Sequence, residues 1–494
     1  MKSKHSQSIL SGAILCAALF VAAAGPSFAG GSSPRSIPVV ESNPLSFFDG
    51  AVVFDLEERF RWEIRENNFD FNDSVNALTD DNWFLQRARI GLAIKPCAWF
   101  KLYVQGQDSR EINSDRADFP GVLGAEGDDA FDLRQGYLEL GNSKVFPLSL
   151  KLGRQVLSYG DERLIGASDW NNLGRTFDAV KLRWEEKAWW LDAFASSVVV
   201  PERGSYNQSD FLNGNETDRG QIFSGLYFST TAIGPETIDL YALHLHENPN
   251  PKYQPNAIGD TNFGTFGLRV KSKPGAFAHA APASDGKSVA DGKSLPPPAA
   301  RPVGLDYEFE GAFQTGELRG RDLTAFAVHG GVGYTFDAAW LPRLGLEYNY
   351  ATGDRDPVDR EVETFQNLFP TNHKSYGQMD AFSWQNMHDL AVIVKAQPIK
   401  AVTLKSEFHV FWLASTDDVW SRANGTTAVR PLTPAARAAN QSAGAEIDLT
   451  ATWNVNKHLQ IEGGYSHFFA GDYLGDTGPS DDADFGYVQA KLTF

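Results

Sequence analysis

The stretch Leu152–Trp184 reads LGRQVLSYGDERLIGASDWNNLGRTFDAVKLRW, and its parsing decides the fold. At the far end Val180, Leu182 and Trp184 alternate with Lys181, Arg183 and Glu185. A period of two with one apolar row is a strand with one greasy face and one wet face. Between the strand-like ends lie Asp161, Glu162, Arg163, Asp169, Asn171, Asn172, Arg175 and Asp178, interleaved with Leu164, Ile165, Trp170 and Phe177. That middle is too charged for lipid and too regularly anchored by apolar residues for a free tip. It reads as a loop folded against a surface, and the flanking strands make that surface the inside of a membrane β-barrel.

Outward from this stretch the alternation recurs. Over Val52 to Arg65, Val52, Phe54, Leu56, Phe60, Trp62 and Ile64 share one face, and Asp55, Glu57, Arg59, Arg61, Glu63 and Arg65 share the other. Glu58 breaks the row, which predicts a rim or a local bulge there. Phe84 to Lys95 places Ala88, Ile90, Leu92 and Ile94 outward and Arg87 and Arg89 inward, and Phe100, Leu102 and Val104 follow outward. Long loops fall near 109–130, 158–175, 200–220, 247–261, 353–386, 413–441 and 469–483. Short turns fall near 142–147, 186–188, 231–236, 337–342, 397–400 and 454–457. Long loops on one rim and short turns on the other are the asymmetry of outer-membrane barrels. The predicted class is all-β, a transmembrane antiparallel barrel of about eighteen strands, with extracellular long loops and periplasmic short turns.

Composition and targeting agree. Lys2 and Lys4, the apolar run Ile9 to Ala24 and Ser27-Phe28-Ala29 form a cleavable leader over 1–29. Cys16 lies inside that run, but Leu15 before it is a poor lipoprotein fit. Removing two lysines and no acids takes the net charge from −18 to −20. Cys97 is then the single thiol, so no intrachain disulfide can form. A strongly acidic exported chain is a poor nucleic-acid binder. Beyond the leader no apolar run is long enough for a membrane helix. The predicted organisation is a leader (1–29), a mobile Ser/Pro/Gly-rich segment (30–51) and one barrel (52–494), with an Ala/Pro/Gly-rich periplasmic insertion at 272–304. Val488, Ala490, Leu492 and Phe494 alternate with wetter residues, and a strand ending in Phe resembles the signal that barrel-assembly machinery accepts.

In a wide barrel the wet rows face the lumen and carry the function. Early strands supply Arg59, Arg61, Arg65, Arg87, Arg89, Lys101, Lys151, Lys181 and Arg183, with Arg269 and Lys271 later. Later strands supply Asp306, Glu308, Glu310, Glu347, Asp389, Glu407, Glu446, Asp448 and Glu462. This predicts a basic wall facing an acidic wall. Arginines could ladder an anion through the pore, because the planar fork grips a carboxylate by two bonds. They could equally pair with Glu57, Glu63 and the acidic wall for stability. Arg134 and Arg154 share parity with apolar neighbours, so their facing stays open.

With these residues in view, the chain resembles the alginate export family of bacterial outer-membrane proteins. The matching segments are Gly153-Arg154-Gln155, Tyr159 to Trp170, Arg175-Thr176-Phe177-Asp178-Ala179-Val180, Ala351 to Pro357 and Thr364 to Gly377. The resemblance implies an eighteen-stranded monomeric barrel with an arginine-rich constriction that passes an anionic polyuronate and is gated by loops. Arg59, Arg61, Arg87, Arg89, Arg154, Arg163, Arg175, Lys181 and Arg183 are the substrate-binding residues it implies here. The implied surroundings are outer-membrane lipid, lipopolysaccharide, the assembly machinery and a periplasmic export partner. The inward acids of the later strands depart from a simple anion selector, which keeps a porin for other small solutes in play.

Two rival chemistries are weaker. Asp354, Asp356 and Asp359 have a spacing calcium could use, but the loop lacks the glycine and glutamate of an EF-hand. A solvated acidic loop with Phe365, Leu368 and Phe369 tucked into the barrel mouth reads better. His409 and Glu407 share an inward face, His467 lies near Asp472, and His373 reads as a loop residue; no Ser or Cys nucleophile accompanies them. The chain is expected to be a channel without cofactor, not an enzyme.

Overall fold

Strands with one apolar face cannot leave backbone donors unpaired in hydrocarbon, so the sheet they form must close. A computed structural model of the protein describes residues 45–68, 70–74, 80–114, 127–201, 206, 207, 209, 220–248, 259–272 and 303–494. In chain order the long strands are β1 Val52–Glu66, β2 Asp81–Cys97, β3 Phe100–Ile112, β4 Asp129–Asn142, β5 Phe146–Gln155 and β6 Phe177–Glu185. Next come β7 Trp189–Val198, β8 Ile222–Thr230, β9 Glu236–Glu247, β10 Thr261–Ser272, β11 Gly304–Leu318 and β12 Arg321–Thr335. The last six are β13 Arg343–Ala351, β14 Met387–Ile399, β15 Val402–Leu413, β16 Ser442–Asn454, β17 Leu459–Ala470 and β18 Ala483–Thr493. Each pairs antiparallel with the next, and β18 returns to β1 from Glu57↔Thr493 to Glu66↔Asp484. The result is a closed eighteen-stranded barrel, as the alternation predicts. The expected leader at 1–29, residues 30–44 and residues 273–302 of the expected insertion lie outside the described residues.

The outward rows are apolar and open, as a lipid-facing surface requires. Phe60, Ile90, Leu102, Leu226, Phe266, Phe313 and Val392 are all exposed. Trp99, Phe146, Trp184, Trp340 and Trp453 ring the short-turn rim, and Phe131, Phe326, Tyr465 and Phe469 ring the other, the two aromatic girdles of such barrels. One connection on the long-loop rim is minimal: Arg319 (φ 52°) and Gly320 (φ 78°) turn β11 into β12, with Gly supplying the second left-handed position. Glu58 sits at neither a rim nor a bulge. The β1–β2 register is unbroken from Val52↔Ile94 to Arg65↔Asp81, and the Glu58 carboxylate instead accepts the Gln86 side-chain amide at 2.6 Å on the outer face.

A bulge decides the facing of Arg134. Gln105 pairs with Gln135 but Gly106 pairs with Leu133, so Arg134 is an extra residue on β4. Its side chain turns into the lumen, where Nη1 donates to the Leu173 carbonyl (3.0 Å). Arg154 follows simple parity onto the outward row with Leu152, and it grips Asp178 by two bonds of 2.9 and 3.0 Å.

The seam places Phe494 in the closure. Its N–H donates to the Leu56 carbonyl (3.0 Å), its carbonyl accepts from the Leu56 N–H (3.2 Å), and its ring stacks on His458. Each such bond is worth about 0.5–1.5 kcal/mol net. Deleting Phe494 is expected to slow the appearance of the heat-resistant folded form in outer membranes while leaving channel conductance unchanged. Pulse-labelling with heat-modifiable electrophoresis checks this; wild-type kinetics would remove the terminal strand's special role.

Candidate pore constriction

The inner rows of a barrel this wide would be wet if nothing filled it, yet the long-loop half of the lumen is packed. Phe177, Phe194, Phe223, Tyr227 and Phe263 from the strands meet Leu164, Ile165, Phe365, Phe369 and Trp384 from the loops in one buried cluster. Phe365 is fully buried and Phe369 nearly so, in the barrel mouth as the sequence predicts. The β5–β6 connection, residues 156–176, supplies part of this filling. It runs across the lumen because both of its sides are charged.

One side docks on the arginines. Arg59 donates from Nη1 to the Asp169 carbonyl (2.7 Å) and from Nη2 to the Asn171 carbonyl (3.3 Å) and Asn172 Oδ1 (3.0 Å). Arg61 donates to the Trp170 carbonyl (2.7 Å) and lies 3.8 Å over the Trp170 ring. Arg87 bonds the carbonyls of Asp169 and Asn171, and Arg89 pairs with the Asp169 carboxylate at 2.8 Å. Glu57 sits behind both, 2.6 Å from Arg87 and 3.3 Å from Arg89. Arg59, Arg61, Arg87 and Arg89 are only 3, 3, 0 and 6 % exposed, so they meet the loop and not open water.

The other side docks seven to nine strands away, on the opposite wall. The Asp161 carboxylate accepts from Arg269 (2.6 Å) and Lys271 (2.8 Å) of β10. Arg163 reaches Glu308 (3.4 Å) and Glu310 (3.7 Å) of β11 and His329 Nε2 of β12 (2.9 Å). Lys181 and Arg183 stand on a third stretch of wall, both paired with Asp192 (3.2 and 2.6 Å), and Arg183 keeps nearly a third of its side chain exposed.

The second long loop, residues 352–386, completes a crossbar. The Phe369 N–H donates to the Leu164 carbonyl (2.9 Å), the Gly166 N–H to the Phe369 carbonyl (2.8 Å), and the Thr371 N–H to the Glu162 carbonyl (2.9 Å). Arg175 donates to the Pro370 carbonyl (2.7 Å), and His373 stacks on Trp170 with ring centroids 3.8 Å apart. Burial lowers the Arg175 guanidinium to about 10, still charged at neutral pH. The two longest motif blocks of the sequence therefore touch each other. Asp354, Asp356 and Asp359 each accept a backbone N–H two residues on, so their spacing serves turns.

The structure thus gathers Arg59, Arg61, Arg87 and Arg89 at one end of the crossbar, with Arg134, which parity alone did not place. Arg163 and Arg175 belong to the crossbar itself. Lys181 and Arg183 line the lumen beyond it, and Arg154 stands apart on the outer row. The Trp170–His373 stack left no trace in either local pattern; only the co-occurrence of the two motifs points to it.

Asp169 is the exposed member, with 45 % of its side chain open although Arg87, Arg89 and Arg134 surround it. Burial would raise its carboxyl, but Arg87 and Arg89 outweigh that and hold it well below the usual carboxylate range. A depressed acid stabilises the docked loop fully above about pH 4, its ordinary titration range, and that contribution fades only as pH falls through the lowered value. Between pH 7 and pH 4 Asp169 should not loosen the crossbar. Single-channel conductance is expected to be flat across that interval, and D169N should show the same flat profile; a rise confined to the wild type would contradict the ion-paired state.

The chain matches the model of one family, described as alginate export, over residues 52–488. None of the curated proteins matches it. Solved structures share its barrel. Pseudomonas aeruginosa OccD3 (OpdP) is 12% identical with a TM-score of 0.56, covering 90% of this chain and 91% of its own. Pseudomonas aeruginosa OccK9 (OpdG) is 13% identical with a TM-score of 0.56, covering 90% and 98%. Pseudomonas aeruginosa OccK2 (OpdF), solved in complex with glucuronate, is 11% identical with a TM-score of 0.53, covering 90% and 98%.

Proposed function

This chain belongs to the alginate export family, and from that premise we propose that it is an outer-membrane channel passing an anionic polyuronate through an arginine-lined constriction gated by loops. The carrying observation is Asp169. One loop carboxylate sits among Arg87, Arg89 and Arg134, as a uronate carboxylate would. A polymer with a carboxylate on every sugar could replace it, bond for bond, as the loop yields. The partly exposed Lys101 and Arg183 lie outside the packed filling and would offer the chain further cations. The channel would work as a monomer in lipid and lipopolysaccharide, enter the membrane through the assembly machinery, and receive its polymer from a periplasmic export partner across the short-turn rim.

A second reading is a porin for small carboxylated solutes. It is favoured by how tightly the crossbar covers the arginines. Refolded protein in a planar bilayer under a salt gradient separates the two. Anion preference with current block by micromolar polymannuronate, and none by the monomer, supports polymer passage. Block by the monomer alone supports the porin, and indifference to both rejects an arginine-based carboxylate path.

A further inference from the structure

Away from the crossbar, three neighbouring inward rows carry a different chemistry. Asp389 lies on β14, Glu407 and His409 on β15, and Glu446 and Asp448 on β16; Glu407 faces Asp448 and His409 faces Glu446 across one ladder. All five are buried. His409 Nδ1 lies 3.0 Å from Asp389 Oδ1, so Nδ1 donates to that carboxylate and Nε2 is the nitrogen a metal would take, in place of its proton. Nε2 faces Asp448 Oδ2 at 4.0 Å. That oxygen belongs to a residue only 1 % exposed and has no hydrogen-bond partner among the described residues, although Asp448 Oδ1 is bonded to Ser466. Glu407, His409 and Asp448 each present one ligand atom, all within 4.8 Å of one another.

The geometry points to a site for one divalent first-row transition-metal ion, Zn²⁺ in class, held by Glu407, His409 and Asp448 with Asp389 as the positioning residue behind the imidazole. An imidazole whose far nitrogen is held by a carboxylate is the usual build of a metal-binding histidine. One nitrogen and two carboxylate ligands suit zinc and its neighbours better than calcium, which takes oxygen ligands alone. The charge also asks for a cation. Four carboxylates are buried here, faced by Lys405 on Glu407 and by His409 on Asp389 and Asp448, and a divalent ion would offset the negative charge that remains, which is costly to bury. The contrasting cluster Glu308, His329 and Glu347 has similar spacing but is already served: Arg163 lies 2.9 Å from His329 Nε2 and Lys271 2.7 Å from Glu308. A bound ion would also steady the second loop, because Glu446 Oε1 accepts the Met379 N–H at 2.9 Å.

The test uses full-length refolded protein stripped with chelator. Zn²⁺ is titrated by calorimetry and Co²⁺ by visible absorption, and heat-modifiable migration reports folding. Wild type should take one ion per chain. H409Q and D448N should lose it, D389N should bind about 10–100-fold more weakly, and H329Q should bind like wild type. No uptake by the wild type at micromolar free Zn²⁺ would overturn the proposal, as would H409Q or D448N that fold and bind unchanged. Should both variants fail to fold, the wild-type Co²⁺ spectrum decides: intense bands of an ion ligated by nitrogen and oxygen support the site, and the weak spectrum of the hydrated ion rejects it.

Discussion

Arg59→Gln combined with Arg87→Gln is expected to convert a mostly closed channel into a mostly open one without loss of the barrel. These two arginines make six hydrogen bonds to residues 169–172. Bonds from a charged group are worth about 1.5–3 kcal/mol each, and a swing of about 5.5 kcal/mol takes a two-state equilibrium from 99:1 to 1:99. Even with strong non-additivity, the docked loop loses its hold on β1 and β2. The strands keep theirs: the Arg87–Glu57 pair is lost as well, but the backbone ladder between β1 and β2 is untouched and Glu57 retains Arg89 at 3.3 Å. Single-channel recording reads the result as higher open probability and conductance. Arginines that faced open water as simple selectors would give the opposite pattern, a shifted reversal potential at unchanged conductance, and that outcome would end the docking argument.

Phe369→Ala should separate the two loops. The ring stands edge-on to Phe177 (5.3 Å) and Phe223 (4.9 Å), and its backbone bonds Leu164 and Gly166 in both directions. Truncating a buried Phe costs about 3–5 kcal/mol. The crossbar opens locally and the barrel does not, because stability is lost where the contacts were. Hydrogen exchange is the measurement. Amides over 162–168 and 365–371 should speed up together by on the order of a hundredfold or more, with the strand amides unchanged. Acceleration confined to 365–371 would mean that the first loop holds its place on the walls alone.

Legibility in the sequence followed the range of the interactions. The alternation over β1, Phe54 to Ile64 against Asp55 to Arg65, states the facing of every residue there, since a strand has only two faces. Arg134 was illegible because one extra residue on β4 shifts the parity, and a bulge is a property of a strand pair. Glu58 misled for a related reason: its partner Gln86 is on the next strand, and only the register brings them together. The His409 cluster was visible as an inward His and Glu on β15, but Asp389 and Asp448 join it through ladders that no single strand encodes.

By itself the sequence determined the barrel, its strand number, its rim asymmetry and the list of lumen charges, because all of these follow from local period and turn spacing. Only the tertiary structure decided what those charges do. Arg59, Arg61, Arg87 and Arg89 become loop anchors once residues 156–176 cross to the wall carrying Arg269 and Glu308. A charge facing a lumen states its sign in the chain; its partner is set by which loop fills the space, and that packing joins residues 80 or more positions apart.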